Sequence, residues 1–291
     1  MNSITNYVLI PNPTKNIDPK LLAELVTHLC ERQCRIGAFS DNMSSLSYLR
    51  DKLYEIRGDD IPSSCQAAIV LGGDGSIIDA SGRLLESGIP IIGINFGRIG
   101  YLAEIEINEL HLLDSLLEGN YTIDERMMLE AVVVSSDGAV RATSTVLNDI
   151  VLSNGPVARL LTFDIFCGDI KIQTCRADGM IAATPTGSTA YSLSAGGPVL
   201  EPSLDCLCLT PICPHTLNSR PVILRGDTEI RLTNIRNNGS SVYITADGRD
   251  VVELNEGDSV SVKRSVHTTK LIRIKDNGFL GILHSKLSEQ Q

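Results

Sequence analysis

Tryptophan is absent from this 291-residue chain, and Phe and Tyr bring the aromatic share to only 4%. That leaves too few rings for a surface that stacks the bases of single-stranded nucleic acid. No run of Lys and Arg occurs and the formal net charge is -10, so neither duplex DNA nor RNA is an expected partner. An acidic protein that binds an anionic ligand must do so locally, through backbone N–H groups and a few placed cations. No apolar run approaches the roughly 20 residues needed to span a membrane. Met1 to Tyr7 lack the cationic-then-apolar pattern of a secretion signal. Cys-x-x-Cys is missing as well. The cysteines (Cys30, Cys34, Cys65, Cys167, Cys175, Cys206, Cys208 and Cys213) are scattered through apolar segments. They read as reduced thiols of a cytoplasmic protein. Cys206 and Cys208 fall on one face of a strand, where free Cys acts as a small hydrophobe, so zinc is not expected there.

What is present points first to one stretch. Ile69-Val70-Leu71 end an apolar strand, and Gly72-Gly73-Asp74-Gly75-Ser76 follow. Ile77, Ile78, Ala80, Leu84 and Leu85 then recur at helical spacing as far as Gly88. The glycines therefore occupy a strand-to-helix turn whose backbone can approach a ligand, and free N–H groups at a helix start favour phosphate. A carboxylate repels phosphate, so Asp74 in that nest suggests a base or a metal ligand beside a phosphate site. An Asp that merely supports an ordinary turn is the alternative.

Around this turn the first part alternates strand and helix. Strands are predicted at Tyr7 to Ile10, Cys34 to Phe39, Ala67 to Leu71 and Ile89 to Asn95. Helices are predicted after the Asp18 cap, through Leu46, Leu49, Leu53 and Ile56, and over Leu110 to Leu117. Such alternation marks a parallel α/β sheet, which binds ligands at the carboxyl ends of its strands. From Arg126 onward, short alternating strands are separated by turn pairs such as Gly168-Asp169 and Asp247-Gly248, the pattern of an antiparallel sandwich. The fold expected is an α/β domain with a parallel Rossmann-like sheet over 1–122 and an all-β sandwich-like domain over 123–270. A closing segment, 271–291, is expected to pack back on the first domain.

Two further stretches stand out. Arg176-Ala177-Asp178-Gly179 leads into Thr184-Pro185-Thr186-Gly187-Ser188-Thr189-Ala190-Tyr191-Ser192-Leu193-Ser194 and Ala195-Gly196-Gly197-Pro198. Small and hydroxylated residues dominate, which suits a flat polar ligand such as a nucleotide, or else a structural Ser/Thr-rich turn. Asn148-Asp149 interrupts the apolar run Val146 to Val151. Asn can read the edges of a base and an acid can accept from ribose hydroxyls; a solvated strand end is the plainer option. His28, His111 and His215 read as structural.

Taken together these segments resemble the NAD kinase family. Gly72 to Ser76 resembles its GGDG(T/S) motif, Asn148-Asp149 its Asn-Glu pair, and Thr184 to Tyr191 with Ser194 to Pro198 its glycine-rich signature. Gly97-Arg98-Ile99-Gly100-Tyr101-Leu102 and Thr210 to Leu217 with Arg220-Pro221 are similar to two further family segments. The resemblance spans roughly residues 66 to 250. It implies a phosphotransferase with an alcohol acceptor, moving the terminal phosphate of ATP, or of polyphosphate, to the 2′-hydroxyl of the adenosine ribose of NAD. Asp74 would be the general base, and Gly72 and Gly73 would face the donor phosphates. Asp74, Gly75, Asn148, Asp149, Arg159, Arg176, Asp178, Thr189, Ala190, Tyr191, Ser192, Leu193, Ser194 and Arg249 would contact NAD. Mg²⁺ would arrive with ATP, with no protein side chain assigned to it. A homodimer or homotetramer is implied. Asp149 stands one methylene short of the family's Glu, Asp79 adds an acid after the turn, and Arg249 sits at a variable family position. A lipid kinase of related fold and a non-catalytic NAD(P)-sensing module are the competing readings.

Overall fold

Hydrophobic runs in the first part form a parallel sheet covered on both faces. The computed structural model describes the chain apart from residues 14–16, 97–99, 156–159, 216–218, 237–240, 276–277 and 289–291. It divides into two compact units, Met1–Glu125 with Thr269–Gln291, and Arg126–Thr268.

In the first unit β1 (Asn6–Pro11) leads to α1 (Pro19–Glu31), whose start is capped by the Asp18 side chain accepting from the Lys20 N–H at 2.9 Å. There follow β2 (Arg35–Phe39), β3 (Tyr54–Ile56), β4 (Ala67–Leu71), α2 (Asp74–Arg83), β5 (Ile91–Asn95), β6 (Ile105–Glu106) and α3 (Asp114–Glu118). The parallel order is β3-β2-β1-β4-β5-β6. Leu71 and Ile94 are register partners, so β4 and β5 end side by side. Tyr7, Leu9, Leu25, Leu29, Ile69, Ile92 and Leu116 share one buried core.

One predicted helix is absent. Leu46 to Ile56 instead gives a 3-10 helix, Ser47–Lys52, followed by β3. Leu46, Leu49 and Leu53 are buried at a spacing a 3-10 turn satisfies. Ile56 is taken by parallel pairing with Phe39, where the sheet outweighs local helical spacing.

The second unit comprises β7 (Thr122–Val134, most of whose length lies in it), β8 (Val140–Val146), β9 (Asp149–Asn154), β10 (Leu161–Cys167), β11 (Ile170–Ala177) and β12 (Gly179–Ala183). These are followed by α4 (Tyr191–Ser194), β13 (Cys206–Ile212), β14 (Val222–Arg225), β15 (Ile230–Arg236), β16 (Val242–Ala246), β17 (Arg249–Leu254) and β18 (Ser259–Arg273). One sheet runs antiparallel in the order β14-β13-β12-β9-β16-β17. The facing strands include the antiparallel pairs β10–β11, β10–β15, β15–β18 and β7–β8. Leu129, Ile150, Phe163, Ile244 and Val260 from both sets form one core, the interior of a sandwich. In the first unit α5 (Phe279–Ser288) ends the described helices, and Leu271 lies beside Ile91 of β5 in parallel register. No helix among the described residues is long and apolar enough to cross a membrane.

Candidate active site

The glycine turn links β4 to α2. Gly72 has φ 152°, and a Cβ there would overlap Ser76 Oγ. That hydroxyl accepts from Asn12 Nδ2 at 2.6 Å, which ties the turn to the end of β1. Gly73 caps α2 with an extended backbone, and its carbonyl accepts from the Ser76 N–H at 2.9 Å. Packing does not demand glycine at either of the next two glycine positions. A Cβ on Gly73 meets nothing nearer than Asn95 Oδ1 at 3.8 Å, and one on Gly75 meets nothing within 4 Å among the described residues. Asp74 opens α2, half-buried. Its carboxylate accepts from the Tyr101 N–H at 2.8 Å through Oδ2 and from the Leu102 N–H at 3.0 Å through Oδ1. Gly100 sits directly against it, so close that any Cβ there would overlap the carboxylate. Burial, and then the charge of Asp74, push the Tyr101 phenol up from its usual range.

In the second unit a cavity of about 400 Å³ opens beside the start of β9, lined by Asn148, Asp149, Val151, Ala190, Tyr191, Thr245, Asp247 and Gly248. The hydroxyl-rich run builds its wall. Thr184 Oγ1 donates to the Leu147 carbonyl at 2.6 Å, and the Thr184 N–H donates to the Asn148 carbonyl at 2.8 Å. Gly187 lies against that same carbonyl, leaving no room for a Cβ. Ser188 Oγ accepts from the Leu200 N–H at 2.9 Å, and Ser192 Oγ shares a hydrogen bond with Thr210 Oγ1 at 2.8 Å. Arg126, itself buried, donates to Thr186 Oγ1 at 3.1 Å. The run is thereby locked in place, and Ala190 and Tyr191 are the residues it turns to the cavity.

Two carboxyls share this cavity. Asp247, at φ 49°, accepts the Leu147, Asn148 and Asp149 N–H groups at 2.9, 2.8 and 3.1 Å. Burial raises its pKa above the usual carboxylate range, and those three donors together with Arg249 oppose the rise. Asp149 is pushed up to about 7, first by burial and then by the charge of Asp247. No described residue donates to the Asp149 carboxyl. Near neutral pH it can thus either donate to or accept from a hydroxyl placed in the cavity. Among the described residues no three His, Cys, Asp or Glu side chains group to hold a metal ion.

Residues 9–121 match the model of the ATP-NAD kinase N-terminal domain, and residues 147–274 match that of the ATP-NAD kinase C-terminal domain. An NAD kinase of Thermoanaerobacter sp. (strain X514) is 38% identical over 283 residues, 97% of this chain and 98% of the relative. The chain belongs to the NAD kinase family. NAD kinases of Geobacter sulfurreducens and Symbiobacterium thermophilum are 42% and 47% identical. The first match spans 79% of this chain and 80% of the relative, the second 76% and 77%. Among solved structures, yeast NADH kinase complexed with NADH superposes with a TM-score of 0.88 at 24% identity, over 99% of this chain and 88% of that one. An Archaeoglobus fulgidus NAD kinase in complex with ATP gives 0.70 at 21%, over 97% and 99%. At those identities the likeness is one of fold.

Against the site expected for an NAD kinase, Asn148, Asp149, Ala190 and Tyr191 meet at the cavity. Ser192 is buried behind it and Thr189 bonds back to the Thr186 carbonyl, whereas Leu193 and Ser194 are exposed. Arg176 is exposed near the end of β11 and Asp178 half-buried before β12, with no described ion pair between them. Arg249 is exposed at the start of β17, and Asp79 is exposed on α2. Arg159 lies outside the described residues, as do 97–99 of the family-like segment. Sequence reasoning passed over Asp247, which read as half of a turn pair; Gly100 was noticed within the family-like segment, but not as a neighbour of Asp74.

Proposed function

We propose that this chain transfers the terminal phosphate of ATP to the 2′-hydroxyl of the adenosine ribose of NAD, giving NADP. The observation that carries the reading is the Asp74 carboxylate, held by two backbone N–H groups at the start of α2 behind Gly72 and Gly73. In the proposed step the 2′-oxygen forms a bond to the γ-phosphorus while the bond to the β–γ bridging oxygen breaks. The hydroxyl proton passes to Asp74 and ADP leaves. A sugar hydroxyl is a weak nucleophile, so in-line placement is the main task, and a placed carboxylate contributes about 10²–10⁴-fold. Gly73 and Gly75, where packing tolerates a side chain, leave backbone open to the donor phosphates and to NAD. Mg²⁺ arriving with the ATP substrate would neutralise charge on the transferring group. Asn148 and Asp149 take the adenosine part of NAD, with Tyr191, Arg176, Asp178, Thr189, Leu193, Ser194 and Arg249 as further contacts. A homo-oligomer working in the cytoplasm completes the proposal.

A coupled assay tests it: purified protein, NAD, ATP and Mg²⁺, with NADP read by an NADP-specific dehydrogenase. Asp74→Asn is expected to keep NAD binding and lose at least about 100-fold in rate. Turnover close to wild type in that variant would sink the base assignment. Signal with polyphosphate in place of ATP would change the donor alone. Silence with both donors beside measurable NAD binding would favour a sensing role.

A further inference from the structure

One of the two N–H groups that hold Asp74, that of Leu102, belongs to a peptide unit whose carbonyl, that of Tyr101, is also claimed, and the next carbonyl along the chain, that of Leu102, is claimed with it. Arg273, at the end of β18 and 14% exposed in its side chain, donates from Nη1 to the Leu102 carbonyl at 3.2 Å and from Nη2 to the Tyr101 carbonyl at 3.4 Å. The peptide between Tyr101 and Leu102 is therefore bonded at both ends. Its carbonyl faces the guanidinium, and its N–H faces Asp74 Oδ1. A cation on the carbonyl polarises the amide and strengthens the N–H as a donor. The fork is itself fixed. Glu104 accepts from Nη1 at 3.0 Å and Asp124 from Nε at 3.1 Å. Glu104 in turn accepts the Ile274 and Lys275 N–H groups, both at 2.7 Å. In the same cluster Lys275 reaches Glu109 at 2.5 Å.

We propose that Arg273 is a positioning residue for the transfer step: it fixes the Gly100 to Leu102 backbone whose N–H groups aim the Asp74 carboxylate. A tie between chain segments would need only the pairs with Glu104 and Asp124. The two donors spent on successive carbonyls are what a carboxylate-aiming role requires. Lys in this place could keep an ion pair but could not present a planar fork to both carbonyls.

The inference rests on Asp74 being the base, and the test separates the two. Arg273→Lys and Arg273→Met are assayed with NAD and ATP at a temperature where circular dichroism shows both folded. Misplacing a reacting group by a fraction of an ångström is expected to cost about tenfold in kcat, with both KM values within about twofold. If the Met variant does not fold, Arg273→Lys and Asp124→Asn, which loosens one anchor, carry the test with losses of about threefold or more. In an Asp74→Asn background, Arg273→Lys should cost nothing further, because the carboxylate it aims is gone. Unchanged kcat in folded variants, a loss confined to KM, or full additivity with Asp74→Asn would overturn the proposal. Near-wild-type turnover of Asp74→Asn would overturn the base reading instead, and an Arg273→Lys loss beside it would show a route that bypasses Asp74.

Discussion

Replacing Asp149 by Asn should stabilise the ligand-free protein in alkaline solution and do little in acid. Asn copies the shape of the protonated carboxyl, and the folded protein holds Asp149 protonated up to about pH 7. The unfolded chain gives up that proton near 3.8. Between these values the folded state binds the extra proton, so stability falls as pH rises, until the loss is complete above pH 7. A rise from 3.8 to about 7 corresponds to roughly 4 kcal/mol at the alkaline limit and roughly 1 kcal/mol at about pH 4.5. The advantage of Asp149→Asn should thus widen by up to roughly 3 kcal/mol between about pH 4.5 and about pH 8.5. For a chain of this size that is on the order of 5 °C in Tm. Scanning calorimetry of both proteins at the two pH values gives the answer. An equal Tm difference at both, or a lower Tm for the variant at the higher pH, would refute the argument that Asp149 is buried at a cost. The same variant should raise the KM for NAD, because the stability surrendered at this position serves binding.

Asp247→Asn removes the charge beside Asp149 and should move the Asp149-linked step of the stability profile to lower pH. It should also cost about 1–3 kcal/mol by weakening acceptance from the Leu147, Asn148 and Asp149 N–H groups, as denaturant titration would show. Gly100→Ala should displace the Asp74 carboxylate and lower kcat by about 100-fold while circular dichroism stays native, since the overlap is with a half-buried side chain and not with backbone. Gly187→Ala meets backbone instead, the Asn148 carbonyl, and should both lower Tm and raise the KM for NAD by about tenfold.

The glycine turn was legible because its signals are local: an apolar strand, glycines, then helical spacing, all within twenty residues. The sandwich was legible through alternation and turn pairs. Cys206 and Cys208 read correctly as small apolar residues and are buried with Leu200. Non-local partners were not legible. The composition of Thr184 to Ser194 promised hydroxyls for a ligand, yet Thr184, Ser188 and Ser192 spend theirs on Leu147, Leu200 and Thr210. Nothing in the run itself names those partners. Asp247 looked like a turn former, and its role comes from three amides almost a hundred residues earlier. The helix expected through Leu53 and Ile56 failed for the same reason, since Ile56 answers to Phe39.

The first unit is discontinuous: Met1–Glu125 is completed only from Thr269 onward, and the segment that returns carries Arg273. During synthesis the GGDG turn leaves the ribosome long before the residue that braces it. At ordinary translation rates the delay is on the order of ten seconds. Over that interval the first unit lacks one strand and the support of its carboxylate, while the second unit, contiguous in the chain, can already fold. A chain cut short anywhere before Arg273 would therefore present a glycine turn with an unbraced acid.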